Sequence, residues 1–159
     1  MKKEHKISKR IIVIVISSLC IILVVILFLH FKDRKDVNDI EKIEVTTGGY
    51  LLSTANYTID FISDEIHYLI EDKGMVKTDS ARLDENDKEF FVSKANLYGM
   101  FHWKESYKPD EDIYDGKYTE IYITYTDGSS QEILCSNDYP ATYEKMQEVF
   151  YEAFGYNVL

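Results

Sequence analysis

The stretch YTEIYITYTDGSSQEILCS, Tyr118 to Ser136, decides how the rest of the chain is read. Its first nine residues alternate in the period of a strand, with the β-formers Ile121, Tyr122 and Ile123 at their centre. Asp127-Gly128 then supplies turn chemistry, and QEILCS returns as a second strand, so the segment predicts a β-hairpin. Immediately after it, Pro140 suits the first turn of a helix. Tyr143, Met146, Val149, Phe150, Ala153 and Phe154 recur at three- and four-residue intervals as one apolar face, and Gly155 closes it.

Working upstream, the same pattern returns. YTIDFIS (57–63) and EIHYLIE (65–71) each alternate and are separated by Ser63-Asp64, which predicts a second hairpin. IEVTT from Ile43 reads as a further strand, with Gly48-Gly49 as a bulge or turn. DKGMVKTDSARLDEN (72–86) reads as a polar connection in which Asp84 or Asn86 caps the next helix. In NDKEFFVSKANLYGMF (86–101), Phe90, Lys94, Leu97 and Phe101 form one helical row and Phe91, Ala95 and Tyr98 the next, with Gly99 as a stop. HWKESYKPDEDIYDGK (102–117) is irregular, with turn signals at Pro109 and Asp115-Gly116. A hairpin–helix unit used twice predicts an α+β fold, one antiparallel sheet with two helices on one face.

Ahead of this lies RIIVIVISSLCIILVVILFLHFK, Arg10 to Lys32. Ile11 to Leu29 is uncharged, roughly 28 Å as a helix, near the thickness of a bilayer core. It exceeds a signal-peptide core and lacks a small-x-small cleavage site. Leu19 before Cys20, with Ser17 three positions before it, reverses the order of a lipoprotein cleavage box. The expectation is a basic cytoplasmic tail (1–10), a transmembrane signal-anchor in the lipid bilayer (11–31), a charged tether (32–42) and an extracytoplasmic α+β domain (43–159). Five Lys/Arg before the run and four after it favour that orientation, by one charge, over a cytoplasmic domain on an inverted anchor.

Residues 33–159 carry 12 Lys/Arg against 27 Asp/Glu, a net charge of −15. That charge excludes a nucleic-acid partner on electrostatic grounds. The cysteines, Cys20 and Cys135, make no disulfide framework. No His-Glu-x-x-His, Gly-x-Ser-x-Gly, phosphate loop or dinucleotide glycine pattern occurs, and no cofactor is implied. Cys135 with His67 or His102 could form a nucleophile–base pair, although a lone Cys in an apolar strand more commonly packs. Asp84, Glu85, Asn86, Asp87 and Glu89 suit a helix N-terminus. Asp110, Asp112 and Asp115, with Glu111, form an oxygen-rich loop that could hold a cation, but Asp115 stands at the sixth position, where an EF-hand loop needs Gly.

Thirteen Tyr, eight Phe and one Trp are the most unusual feature of the composition. Trp103, Tyr107 and Tyr114 fall in the irregular segment and Tyr139 before the last helix. Loop aromatics either form a binding surface or plug the open end of a sheet. Two readings of Asp115, Asn137 and Tyr139 follow. They fix turns and the start of the helix, or they converge with Trp103 and Tyr107 on one groove.

The order WKESY (103–107), Asp115-Gly116, an alternating strand and SNDYP (136–140) behind an N-terminal apolar run resembles small membrane-anchored proteins of low-GC Gram-positive bacteria that carry a domain of unknown function. The likeness spans roughly 43–155 and is specific in its last third. It departs at Lys117-Tyr118, where a Trp-like residue would be expected near the Asp-Gly. The resemblance implies location and fold, not a mechanism. The chain is thus expected to be a binding or interaction module of the cell envelope with a protein or envelope partner. The alternative is an envelope enzyme or inhibitor whose Asp110–Asp115 loop holds a cation or polar ligand.

Overall fold

The computed structural model describes residues 14–26, 34–49, 53–110, 116–156 and 158–159. Two compact units result, Met1–Arg34 and Lys35–Leu159. Within the first, residues 14–26 form a helix, α1, whose side chains are exposed.

The expected single-pass anchor is not supported. At 1.5 Å per residue the described part of α1 accounts for roughly 20 Å, short of the roughly 30 Å hydrocarbon core. Among the described residues no helix is long and apolar enough to cross a membrane. Residues 11–13 and 27–31 of the predicted span lie outside the described residues. The signal-anchor, the bilayer contact and the inside-to-outside orientation built on that span lose their support with it.

The second unit is α+β. Its strands are β1 (Ile40–Gly49), β2 (Thr54–Asp60), β3 (Glu65–Asp72), β4 (Met75–Arg82), β5 (Ser106–Tyr107), β6 (Lys117–Tyr125) and β7 (Ser130–Ser136). Helix α2 (Glu85–Leu97) follows β4, and α3 (Tyr143–Phe154) follows β7. The sheet order is β4-β3-β2-β1-β6-β7-β5. Every pair is antiparallel except β5 with β7, so the sheet is mixed, not wholly antiparallel as expected. The exception is two residues long, too short to leave an alternating pattern, although Tyr107 packs partly buried against the core.

Alternation builds the core. Ile43, Val45, Ile59, Ile66, Ile121, Ile123 and Ile133 are fully buried on one face, while their neighbours Glu44, Thr58, His67, Glu120 and Glu132 lie at the opposite face. A bulge between Ile40 and Lys42 lets Ile40 and Ile43, three apart, both face inward. All six predicted apolar positions of α3 are buried. In α2 the second predicted row faces the core, through Phe91 and Ala95, and Leu97 of the first is 63% exposed. The Phe91 ring packs on Phe150 (4.8 Å) and Phe154 (5.0 Å), joining the two helices. Each such fully buried side chain contributes about 1.5–3 kcal/mol relative to exposure.

Caps and turns follow local chemistry. Asp84 caps α2 by accepting from the Asn86 amide (2.7 Å), and Gly99 and Gly155 stand in the left-handed region after α2 and at the end of α3. Lys88, buried on α2, bridges Asp64 and Glu85 at 2.7 Å each, so its charge is fully paired. The segment read as a polar connection holds strand β4, joined to β3 by Lys73-Gly74, both at positive φ. The expected tether is partly ordered. Asn96 of α2 bonds both the amide and the carbonyl of Lys35, and β1 begins at Ile40.

Candidate functional site

Residues at the far ends of β1 and β6 meet the start of α3 around a cleft of about 740 Å³. Its walls comprise Thr47, Gly48 and Ser53; Lys117, Tyr118 and Thr119; Tyr139, Pro140 and Ala141; Tyr143, Glu144 and Gln147; and Leu159.

Each wall has a local cause. Gly48 pairs with Tyr118 across the ladder, and a Cβ at Gly48 would stand 3.0 Å from the Tyr118 ring, so glycine lets that ring lie close over the strand without shifting. Gly48-Gly49 is therefore continuous strand, not the turn it suggested. Thr119 is buried and exchanges a 2.7 Å hydrogen bond with the Tyr143 hydroxyl, fixing β6 to the first turn of α3. Pro140 precedes the helix and its carbonyl accepts from the Tyr143 amide. Gln147 donates to the Leu159 carbonyl at 2.8 Å, tying the last described residue to α3.

The predicted site residues divide. Trp103 is core, 8% exposed, with its indole N–H donating to Thr142 (3.2 Å), which donates in turn to the Tyr98 carbonyl. Its ring centroid is 6.1 Å from Tyr143, and Tyr139 lies on the same Tyr143 ring at 4.4 Å. Trp103 and Tyr139 are thus brought to one aromatic row through a residue assigned only to the core, and Tyr139 lines the cleft. Asn137, at φ 55°, donates its amide to the Lys117 carbonyl and accepts the Lys117 amide on its side-chain oxygen. A Cβ at Gly116 would collide with the Asn137 side-chain carboxamide, so the Gly116–Asn137 contact sets where Lys117 enters the cleft wall. Tyr107 sits on β5, its hydroxyl accepting from the Lys104 amide at 2.9 Å, and is not part of the cleft lining.

Of the predicted cation ligands, Asp110 is exposed, and Asp112 and Asp115 lie outside the described residues. Among the described residues no three His, Cys, Asp or Glu side chains gather as a metal site. Asp84, Glu85 and Asp87 form the first turn of α2, as a helix N-terminus would.

The electrostatics are those of packed tyrosines. Burial pushes the Tyr143 phenol up to about 12, an effect partly offset by its bond to Thr119. Burial also raises Tyr139. Cys135 is fully buried and its thiol is pushed up to about 11 by burial and then by Asp138, opposite to what a nucleophile needs. His67 lies exposed on the open face of the sheet against Glu65 (3.1 Å), and His102 is exposed.

Lys117, Tyr118, Glu144 and Gln147 were not singled out from the sequence. Gly48 was the available signal, since glycine inside a strand marks a close approach. No family description, curated protein or solved structure matches this chain.

Proposed function

We propose that the Lys35–Leu159 unit is a non-catalytic binding module and that the cleft at the ends of β1 and β6 is its ligand site. The carrying observation is the lining itself. Tyr118, Tyr139 and Tyr143 stand with one cation, Lys117, and one anion, Glu144, around a single concavity. Aromatic walls supply apolar area with hydroxyl handles, and one charge of each sign matches a ligand that carries both. A short peptide with free termini has that chemistry. Lys117 and Glu144 are exposed, so their attraction is screened by salt and the affinity is modest. The displaced ionisations nearby belong to phenols and a thiol that burial holds protonated and uncharged at neutral pH, which supports recognition over proton transfer.

The test is calorimetric titration of the full chain with the tripeptide Ala-Phe-Ala and with its acetylated, amidated form. Binding is expected for the free form, weakened at least about tenfold by capping or by Lys117→Glu, and abolished by Ala141→Trp, which fills the cleft from an exposed position. Equal binding of both peptides, or full binding by the Ala141→Trp protein, contradicts the reading.

A further inference from the structure

Strand β4 ends the sheet, and among the described residues nothing pairs with its outer edge. Residues 75–80 and Arg82 are exposed, and Met75 and Val76 are 70% and 61% exposed. An eight-residue strand with an open row of amides and carbonyls is a template for another strand. Natural edges of this kind are normally blunted by lysine. Lys77 is present here, but Asp79 stands two residues along on the same face of the strand.

We propose that this edge pairs antiparallel with the β4 edge of a second copy, about a two-fold axis at Thr78. With Thr78 opposite Thr78 of the second copy, Lys77 of each protomer lies directly across from Asp79 of the other, twice by symmetry. Met75 then faces Ala81 and Val76 faces Ser80, so all seven residues 75–81 find partners inside the strand. The charges also reject the alternatives. A slip of two residues one way sets Lys77 against Lys77, and the other way sets Asp79 against Asp79. A parallel, in-register pairing places like charges side by side along the whole strand. Of these pairings only the Thr78 register puts opposite charges together, so the Lys77–Asp79 pair favours this self-pairing over its slipped and in-register parallel forms.

Asp79 is already oriented for the role. Its carboxylate accepts from the Tyr68 hydroxyl (3.2 Å) and the Ser80 amide (2.9 Å), and the Lys77 ammonium lies 5.7 Å from the Tyr68 ring centroid. Both side chains share the helix-bearing face, because their partners on β3, Ile70 and Tyr68, do. An axis perpendicular to the sheet keeps the helices of both copies on one side and makes one continuous sheet. The pairing is separate from the cleft and stands without it.

The test is disulfide trapping in the full chain carrying Cys20→Ser, so that association through any other segment does not register. Opposed Cβ atoms in such a pair lie roughly 5 Å apart, and closing a disulfide of about 4.5 Å or less draws the two edges together by only about half an ångström or a little more. Thr78→Cys is expected to give a covalent dimer under mild oxidation, and Ser130→Cys, in a distant strand end, is not. Val76→Cys and Ser80→Cys are each expected to cross-link poorly alone and well when mixed. Adding Lys77→Asp should cut the Thr78→Cys yield at least about fivefold, and the swap Lys77→Asp with Asp79→Lys should restore it. All these positions are exposed, and circular dichroism confirms folding. Absence of a Thr78→Cys dimer overturns the proposal, as does a yield that Lys77→Asp leaves unchanged.

Discussion

At the scale of single residues, the site rests on side chains that hold backbone in place more than on any reactive group. Asn137 bonds Lys117 through both its amide and its side chain, and the Thr119–Tyr143 bond closes the buried floor between β6 and α3. Cys135 belongs with these structural groups. In the register of β7 it stands opposite Thr119, in the core, and burial raises its thiol to about 11. A thiol of that kind is protonated and shielded at neutral pH. In the Cys20→Ser chain, the aromatic disulfide reagent DTNB at pH 8 is expected to titrate no thiol until denaturant is added, then one. Prompt reaction of the native chain would show Cys135 accessible and contradict its placement.

At the scale of elements, the β2–β3 and β6–β7 turns each hold a depressed carboxyl that adds acid sensitivity. Burial raises the Asp60 carboxyl, but hydrogen bonds from the Ser63 and Ile62 amides and the Ser63 hydroxyl outweigh it and leave it below its ordinary 3.8. Asp127 is lowered by the Ser129 hydroxyl first and the Ser129 amide second. A depressed carboxyl adds stability that is complete above the unfolded value and is lost as pH falls through the folded value. Urea midpoints are therefore expected to hold from pH 7 to about 5 and to drop below 3.8. The Asp60→Asn, Asp127→Asn double variant should be less stable at pH 6 and lose less on acidification; an unchanged profile would contradict this. Elements with an apolar period were legible. Every inward position of α3 follows from its spacing, and both Tyr-rich hairpins follow from alternation. Strand β4 was not legible, because MVKTDSAR is exposed along nearly its whole length and carries no buried face to leave a period. What holds it is the ladder to β3 and the Lys73-Gly74 turn, and that dipeptide was its only sequence sign.

At the scale of the whole molecule, the apolar run and the described helix within it differ in length. Ile11 to Leu29 reads as a span by composition, yet the described helix covers 14–26 and falls short of one. The fold of the second unit was legible as α+β with two helices on one sheet face, whereas the edge strand β4 and the short parallel strand β5 depart from the expected pairing. The cleft was legible in part. Tyr139 lay in a loop and declared itself, whereas Lys117, Glu144, Gln147 and Leu159 come from three separate segments that only the register of β1 with β6 and the docking of α3 assemble. The most direct test of the central claim, that this cleft is the ligand site, is an amide hydrogen-exchange footprint of the full chain with and without saturating Ala-Phe-Ala. Slowed exchange confined to residues 117–119 and 141–147 is the predicted result. Slowed exchange along β4 or across the open face of the sheet, or no footprint at saturation, would contradict it.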